Sequence, residues 1–430
     1  MRSSPVALTS VRPESAAPPE TTTDPPRSRR FVALLVAVLG MLSATSSLAT
    51  DLYLPAFPQI SADLGASEAQ IHLTLTAMMI GLALGQLMIG PLSDMWGRRL
   101  PLLVGVGVFT LTSFLCVVAP SAEALTVIRF VQGLAASAGA VISRAVVRDA
   151  FDGDAAARFF SRLVLISGIA PLIGPVIGGQ LLLLGSWHVI FAALGTAGLV
   201  SLVLVFFGMP ESLPKSERRP QRLSVTVSSF GRLLRDPAFM LPALTMALSF
   251  AMSFTYISTF SFVSQSQFGA SAQQFSLVFA LNTLGMVLGS QVNAALIGRM
   301  HASRRLTTGL VGALTSVVLL ALLDVSGNAT LVTSSVVLFA MMFFTGLVSP
   351  NATSMAISSQ PSSLAGTSSA LVGALQFGIG SGLASLAGVI SGGHATLGGM
   401  IVIMLATAVA AALSFLCALL RGRAHAHATA

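Results

Sequence analysis

The sequence predicts an all-α membrane protein with twelve transmembrane helices in two six-helix bundles and both termini in the cytoplasm. Three observations predict it. Only 9% of the 430 residues are charged while 54% are hydrophobic, against roughly a quarter charged in a soluble domain. Mean hydropathy is +0.85, more apolar surface than one globule can hide from water. Lastly, arginine and lysine crowd into alternate loops.

The apolar segments fall near 31–54, 70–90, 101–119, 123–147, 159–184, 187–208, 238–263, 272–297, 307–325, 331–356, 364–390 and 396–420. Each approaches the ~20 residues needed to cross hydrocarbon. Thirty-nine glycines and few aromatics suit helices that pack closely without water to drive them together. Residues 1–30, rich in Pro, Ser, Thr and Arg, read as a disordered cytoplasmic tail. No cleavage site follows, so the first span is retained. The boundaries are thus a tail over 1–30, an N-terminal bundle over 31–208, a linker over 209–236, a C-terminal bundle over 237–420 and a tail over 421–430.

Lys and Arg mark the cytoplasmic side. They occupy the N-tail, the loop with Arg98 and Arg99, the loop with Arg148 and Arg158, the linker, the loop with Arg299, Arg304 and Arg305, and the C-tail. Intervening loops contain none. The net charge of +8 therefore reports topology, and no nucleic-acid partner is expected. Cys116 and Cys417 lie in apolar runs without metal spacing. No phosphate-cradling loop and no metal-spaced His/Asp/Glu cluster occurs, which argues against an enzyme, an ATP-driven pump and any cofactor beyond a proton gradient.

Four motifs carry chemistry. Gly90-Pro91-Leu92-Ser93-Asp94-Met95-Trp96-Gly97-Arg98-Arg99 joins spans 2 and 3. Its glycines allow a tight turn. Asp94 can hold helix-end amides or an arginine, a latch at the cytoplasmic gate that Asp149 would complete. Arg129, in Arg129-Phe130-Val131-Gln132-Gly133, lies within span 4, where a cation faces the protein interior and has a partner. The acid that span 1 brings to a similar depth is Asp51, and movement of Arg129 relative to it would switch its proton affinity. Span 5 carries Gly168-Ile169-Ala170-Pro171-Leu172-Ile173-Gly174-Pro175-Val176-Ile177-Gly178-Gly179, whose prolines remove backbone donors and bend the helix. Its glycines permit close packing.

These motifs resemble those of the major facilitator superfamily. With Asp51-Leu52-Tyr53-Leu54-Pro55, Arg148-Asp149, Ser186-Trp187-His188 and Met209-Pro210-Glu211, the chain resembles the bicyclomycin/chloramphenicol-resistance (Bcr/CflA) family of exporters. The resemblance covers roughly 31–420, with its specific motifs in the first half. It implies the major facilitator fold and proton-coupled efflux of small drugs from a bacterial inner membrane. Asp51, Arg129 and Gln132 would serve proton coupling. Gly90, Asp94, Gly97, Arg98, Arg99 and Asp149 would form the gate, and Gly168, Pro171, Gly174, Pro175, Gly178 and Gly179 the antiporter motif. Where some relatives have a second acid on the first helix this chain has Ser43, which suits neutral or zwitterionic substrates. The expected partners are the drug, protons and lipid, for a monomer.

The second half is quieter, and its counterpart of the gate around Gly298-Arg299-Met300 is degenerate. Candidate cavity residues are Tyr53, Met78, Tyr256, Asn282 and Gln376. Arg144, one turn before Arg148, is expected to snorkel to the cytoplasm. Topology alone leaves open a proton-coupled metabolite transporter, exporter or importer, on the same fold.

Overall fold

A computed structural model describes residues 29–151, 153–218, 223–361 and 364–428; most of the expected N-terminal tail lies outside them. The chain is all-helical. In order come α1 (Arg29–Asp51), a 3-10 turn (Leu54–Ala56), α2 (Phe57–Asp63), α3 (Glu68–Trp96), α4 (Arg99–Val117), α5 (Ala122–Ala150), α6 (Gly153–Leu184) and α7 (His188–Gly208). A connection containing α8 (Leu223–Arg235) leads to α9 (Pro237–Phe262), α10 (Ala272–Ala295), α11 (Ala302–Val325), α12 (Leu331–Ser358), α13 (Ala365–Ile390) and α14 (Leu397–Ala428). Among the described residues ten helices are long and apolar enough to cross a membrane: α3, α4, α5, α7 and α9 to α14. Phe207 and Val325, at 82% and 88% exposure, belong on a surface that meets lipid rather than water. This is a multi-pass membrane protein.

The helices begin where the sequence places caps. Ser67 and Gln70 form a capping box at the start of α3, and Ser271 and Gln274 form the same box at the start of α10. The turn after α3 requires Gly97 (φ +93°), and the turn after α10 requires Gly298 (φ +82°). Close packing repeats as well. A Cβ on Gly81 or Gly133 would strike the carbonyls of Phe130 or Met78 between α3 and α5. On Gly289 or Gly346 it would strike those of Phe343 or Met286 between α10 and α12. Two halves built to one plan follow from these pairs.

The halves meet along α3 against α13 and along α6 against α10. One end of the bundle carries Arg98, Arg99, Arg218, Arg232, Arg235 and Arg305; the opposite end carries Asp63, Glu68 and Glu123 and no Lys or Arg among the described residues. At that opposite end the halves are tied together. Ser261 Oγ donates to the Leu54 carbonyl (2.5 Å), Gln265 Nε2 to that of Pro55 (3.2 Å) and Gln273 Nε2 to that of Gly179 (3.0 Å). Glu68 accepts from the amide of Ala395, and the Ala69 amide donates to the Gly393 carbonyl (3.2 Å). His72 stacks on Phe262. Between described residues no hydrogen bond crosses the halves at the arginine-bearing end.

The expected linker contains a helix, α8, whose Leu233 is buried against the bundle while Arg232 and Arg235 close its last turn. The last helix runs past residue 420, to Ala428.

Candidate functional site

Between the halves lies a cavity of about 590 Å³. Helix α1 gives it a polar stripe of Ser43, Ser46, Ser47, Thr50 and Asp51, one face at helical spacing. The second half supplies Phe250, Phe254, Phe377, Met286 and Met342. The wall is therefore two-sided, polar from the first half and mainly aromatic and thioether from the second.

Asp51 is the acid of that wall. It is only 6% exposed and ends α1, directly before the turn that seals the neighbouring end. Beside it Gly174 of α6 comes so close that a Cβ there would lie 3.2 Å from the Asp51 Cβ. One turn on, a Cβ on Gly178 would overlap the Leu52 carbonyl, and one on Gly179 would meet Ser276 of α10. Gly168 and Pro171 face the cavity itself, and Pro171 and Pro175 both lie inside the helix. The glycine-proline motif thus presses α6 against the end of α1 on one face and against the other half on the next.

Arg129 of α5 is fully buried at the depth of Ala49. It donates to the Ala49 carbonyl (2.8 Å) and to Gln132 Oε1 (2.6 Å). Its guanidinium lies 4.1 Å from the Tyr53 ring centroid and 5.6 Å from that of Phe191. Gln132 passes the chain on to Ser113 Oγ (2.7 Å). No ion pair joins Asp51 to Arg129: the cation is held by a carbonyl, an amide and two ring faces. The two side chains share one end of the first half, joined through the stretch Ala49-Thr50-Asp51.

At the arginine-bearing end, Arg98 donates through Nε to Asp149 (2.8 Å) and through Nη1 to Asp94 (2.5 Å) and Ser93 (2.7 Å). Glu211 accepts from the backbone amides of Arg98 (2.7 Å) and Arg99 (3.3 Å), and Arg99 reaches the Phe206 carbonyl (2.7 Å). A side chain on Gly97 would collide with Glu211, whereas Gly90 has open space around it. These contacts of Arg98 bind α3, α4, α5 and the end of α7 to one another, all within the first half. A latch holding the two halves together is not what they form in this state. The second half has a neutral version: Arg305 donates to Asn293 Oδ1 (3.0 Å), which also accepts from Asn351 (2.6 Å). The degenerate motif keeps the arginine and the turn but replaces acids by amides.

The cavity candidates read from sequence lie elsewhere. Tyr53 is buried under Arg129, Met78 packs beneath Gly133, and Tyr256 accepts a hydrogen bond from Asn282 (2.9 Å) behind the wall. None of the four lines the cavity, nor does Gln376, whose neighbour Phe377 does. The reason is rotational phase, which an apolar helix does not display in its sequence. Sequence reasoning missed the serine stripe, although its spacing of Ser43, Ser46, Ser47 and Thr50 was there to be read. It also missed the place of Arg144 in the cavity lining, and His72 in the seam.

Comparison with known proteins agrees with this architecture. The Major Facilitator Superfamily profile matches residues 39–385. An uncharacterized MFS-type transporter of Bacillus subtilis, YdgK, is 39% identical over 89% of this chain and 94% of its own length. A bicyclomycin resistance protein homolog of Haemophilus influenzae is 32% identical over 82% of this chain and 88% of its own. The multidrug resistance protein MdtL of Vibrio parahaemolyticus is 32% identical over 54% of this chain and 58% of its own. Among solved structures, a bacterial homolog of the lysosomal transporter Spinster in an inward-facing, unoccupied conformation superposes with TM-score 0.71, covering 91% of this chain and 98% of that one at 15% identity. The nucleoside transporter NupG gives 0.73, over 89% and 99% at 12% identity.

Proposed function

This chain belongs to the Major Facilitator Superfamily as a Bcr/CflA-like transporter, not an enzyme, and on that footing we propose that it expels small neutral or zwitterionic drugs in exchange for protons. Its setting is a bacterial inner membrane crossed twelve times, with α1 and α6, 23 and 32 residues long, completing the set of spans. The arginine-bearing end then faces the cytoplasm.

Asp51 carries the reading. Among the described residues it is the one acid in the cavity wall, at the sealed end, against the Gly174 face of α6. Open to the cytoplasm, the protein takes drug into the cavity and Asp51 gives up its proton. Rearrangement of α6 and the end of α1 opens the opposite seam and closes the cytoplasmic mouth. Drug leaves outward and Asp51 takes a proton from outside. Arg129 sets the exchange, since its hold on the Ala49 carbonyl ties it to the same end of α1 that carries Asp51. One proton descending 100 mV supplies ~2.3 kcal/mol, enough for a roughly fifty-fold gradient of a neutral drug at tenfold per 1.4 kcal/mol. With Ser43 in place of a second acid, nothing else in the wall attracts a cation.

The test is Asp51→Asn in inverted membrane vesicles loaded from a drug panel. The variant is expected to bind drug about as well as the parent while pH-driven accumulation falls at least about tenfold, the size of one lost charge switch. Undiminished pH-dependent accumulation by D51N would remove Asp51 from the mechanism.

A further inference from the structure

We infer that Arg144 is the group by which the cavity reads its cargo, selecting molecules that join an aromatic body to a carboxylate. The inference goes beyond the efflux reading by adding anionic aromatic acids to its neutral and zwitterionic cargo, and it rests on that reading only for taking this cavity to be the cargo's path.

Among the described residues, Arg144 and Asp51 are the two charged residues of the cavity wall. They stand far apart. Ser143, next to Arg144, donates to the Leu39 carbonyl (3.3 Å), which places Arg144 level with residue 39 of α1. From there to Asp51 is twelve residues, roughly 18 Å of helix. The two charges cannot neutralise one another at that separation, and no other acid among the described residues pairs with Arg144.

Helix α5 runs from the sealed end toward the arginine-bearing end, so Ala140 lies one turn deeper than Arg144. Arg144 donates its Nε to the Ala140 carbonyl (3.0 Å), which fixes the start of the guanidinium against the cavity-lining face of α5. That bond occupies one of five N–H donors. The two terminal amino groups remain, a planar fork whose geometry fits the two oxygens of a carboxylate. An unpaired cation in a largely apolar chamber binds such an anion more strongly than it would in bulk water.

The facing wall defines the rest of the molecule. Phe250 meets Phe377 edge-on, with centroids 5.4 Å apart, and stacks with Phe254 at 5.4 Å. Phe250 lies near the middle of α9, deeper than Arg144. A flat apolar body among these rings leaves an acid group pointing back toward Arg144. Asp51, beyond the body, stays free to exchange its proton. A zwitterion fits the same arrangement with its acid on Arg144.

The anion seated there could be the acid of the cargo or the phosphate of a lipid headgroup that slides in from the bilayer; the inference commits to the cargo. The experiment is equilibrium binding of dansylglycine, an aromatic carboxylate, and of dansylglycinamide, its neutral twin, to the purified full-length protein in nanodiscs without any proton gradient. Discs of phosphatidylcholine alone are compared with discs containing one-third phosphatidylglycerol. The parent is expected to bind the acid about tenfold more tightly than the amide, the worth of a charge-assisted hydrogen bond, in both kinds of disc. In Arg144→Gln the two ligands become equal because the acid weakens while the amide is unchanged, which also shows that the variant is folded. Arg144→Lys retains part of the preference. Equal binding by the parent, a preference that survives R144Q, no saturable binding of either ligand, or a preference abolished by phosphatidylglycerol would each overturn the inference. Because no gradient is applied, failure of Asp51 in the vesicle test leaves this result untouched, and the reverse also holds.

Discussion

Arg129 is buried with none of its side chain exposed. Burial of an unpaired ion in a low-dielectric interior is costly, and here the cost is offset by a carbonyl, a glutamine and two aromatic faces rather than by a carboxylate. His72 is the opposite case. It is 1% exposed, and neither ring nitrogen has a hydrogen-bond partner. Its ring stacks on Phe262 across the halves at 5.3 Å and packs by Phe57 at 6.0 Å. Phenylalanine would keep the stacking and relieve two unsatisfied polar atoms, worth about 1–3 kcal/mol. His72→Phe is therefore expected to raise the midpoint of thermal unfolding and to slow transport, because it stabilises a seam that must part in every cycle. A fall in the midpoint would mean that the imidazole does have a polar partner.

At the scale of the helix, glycines decide how closely axes approach, and they do not all matter equally. Gly178 is pressed against the Leu52 carbonyl, whereas Gly168 borders the open cavity with nothing within 4 Å. Both belong to one motif on one helix. An added methyl at Gly178 must push backbone against backbone, a cost of about 1–3 kcal/mol or more. At Gly168 it meets no atom and removes some backbone freedom from the unfolded chain. Gly178→Ala should thus lower the unfolding midpoint and abolish transport, and Gly168→Ala should leave the midpoint unchanged or slightly higher. Equal losses from both would show that the motif acts through helix flexibility and not through contact. The same logic joins α3 to α5 and α10 to α12.

For the whole molecule, the asymmetry between its ends is the functional statement. Five hydrogen-bonded ties between the halves, with the His72–Phe262 stack, close one end, while the arginine-bearing end has no described hydrogen bond between them. Alternating access needs a state sealed on one side only, and this is such a state. It predicts one-sided access to Ser43, the member of the α1 polar stripe farthest from the sealed end. Cys116 is buried and Cys417 exposed, so Ser43→Cys is best placed in a Cys417→Ser background. A membrane-impermeant maleimide should label it several-fold faster in inverted than in right-side-out vesicles. Equal rates, or the reverse, would contradict either the state seen here or the assignment of the arginine-bearing end to the cytoplasm.

The spans, the basic loops, the capping serines and the Gly97 turn could all be read from the sequence because each is local. Hydropathy sums along a segment, a loop cation marks its own loop, and a cap or a positive-φ glycine acts within a few residues. Asp51 and Arg129 were legible for the same reason: a charge inside an apolar run stands out by its cost. Outside α1, whose Ser/Thr spacing marks its polar face, which side chains face the cavity was decided by tertiary structure alone. In the other helices the lipid side and the interior side are both largely apolar, so no amphipathic phase reveals their rotation, and Tyr53, Met78, Tyr256, Asn282 and Gln376 fall behind the wall while Phe250, Phe377 and Arg144 line it. Likewise the acid-free environment of Arg129 depends on where the Ala49 carbonyl and two rings arrive from distant helices, and nothing near position 129 in the chain encodes that meeting.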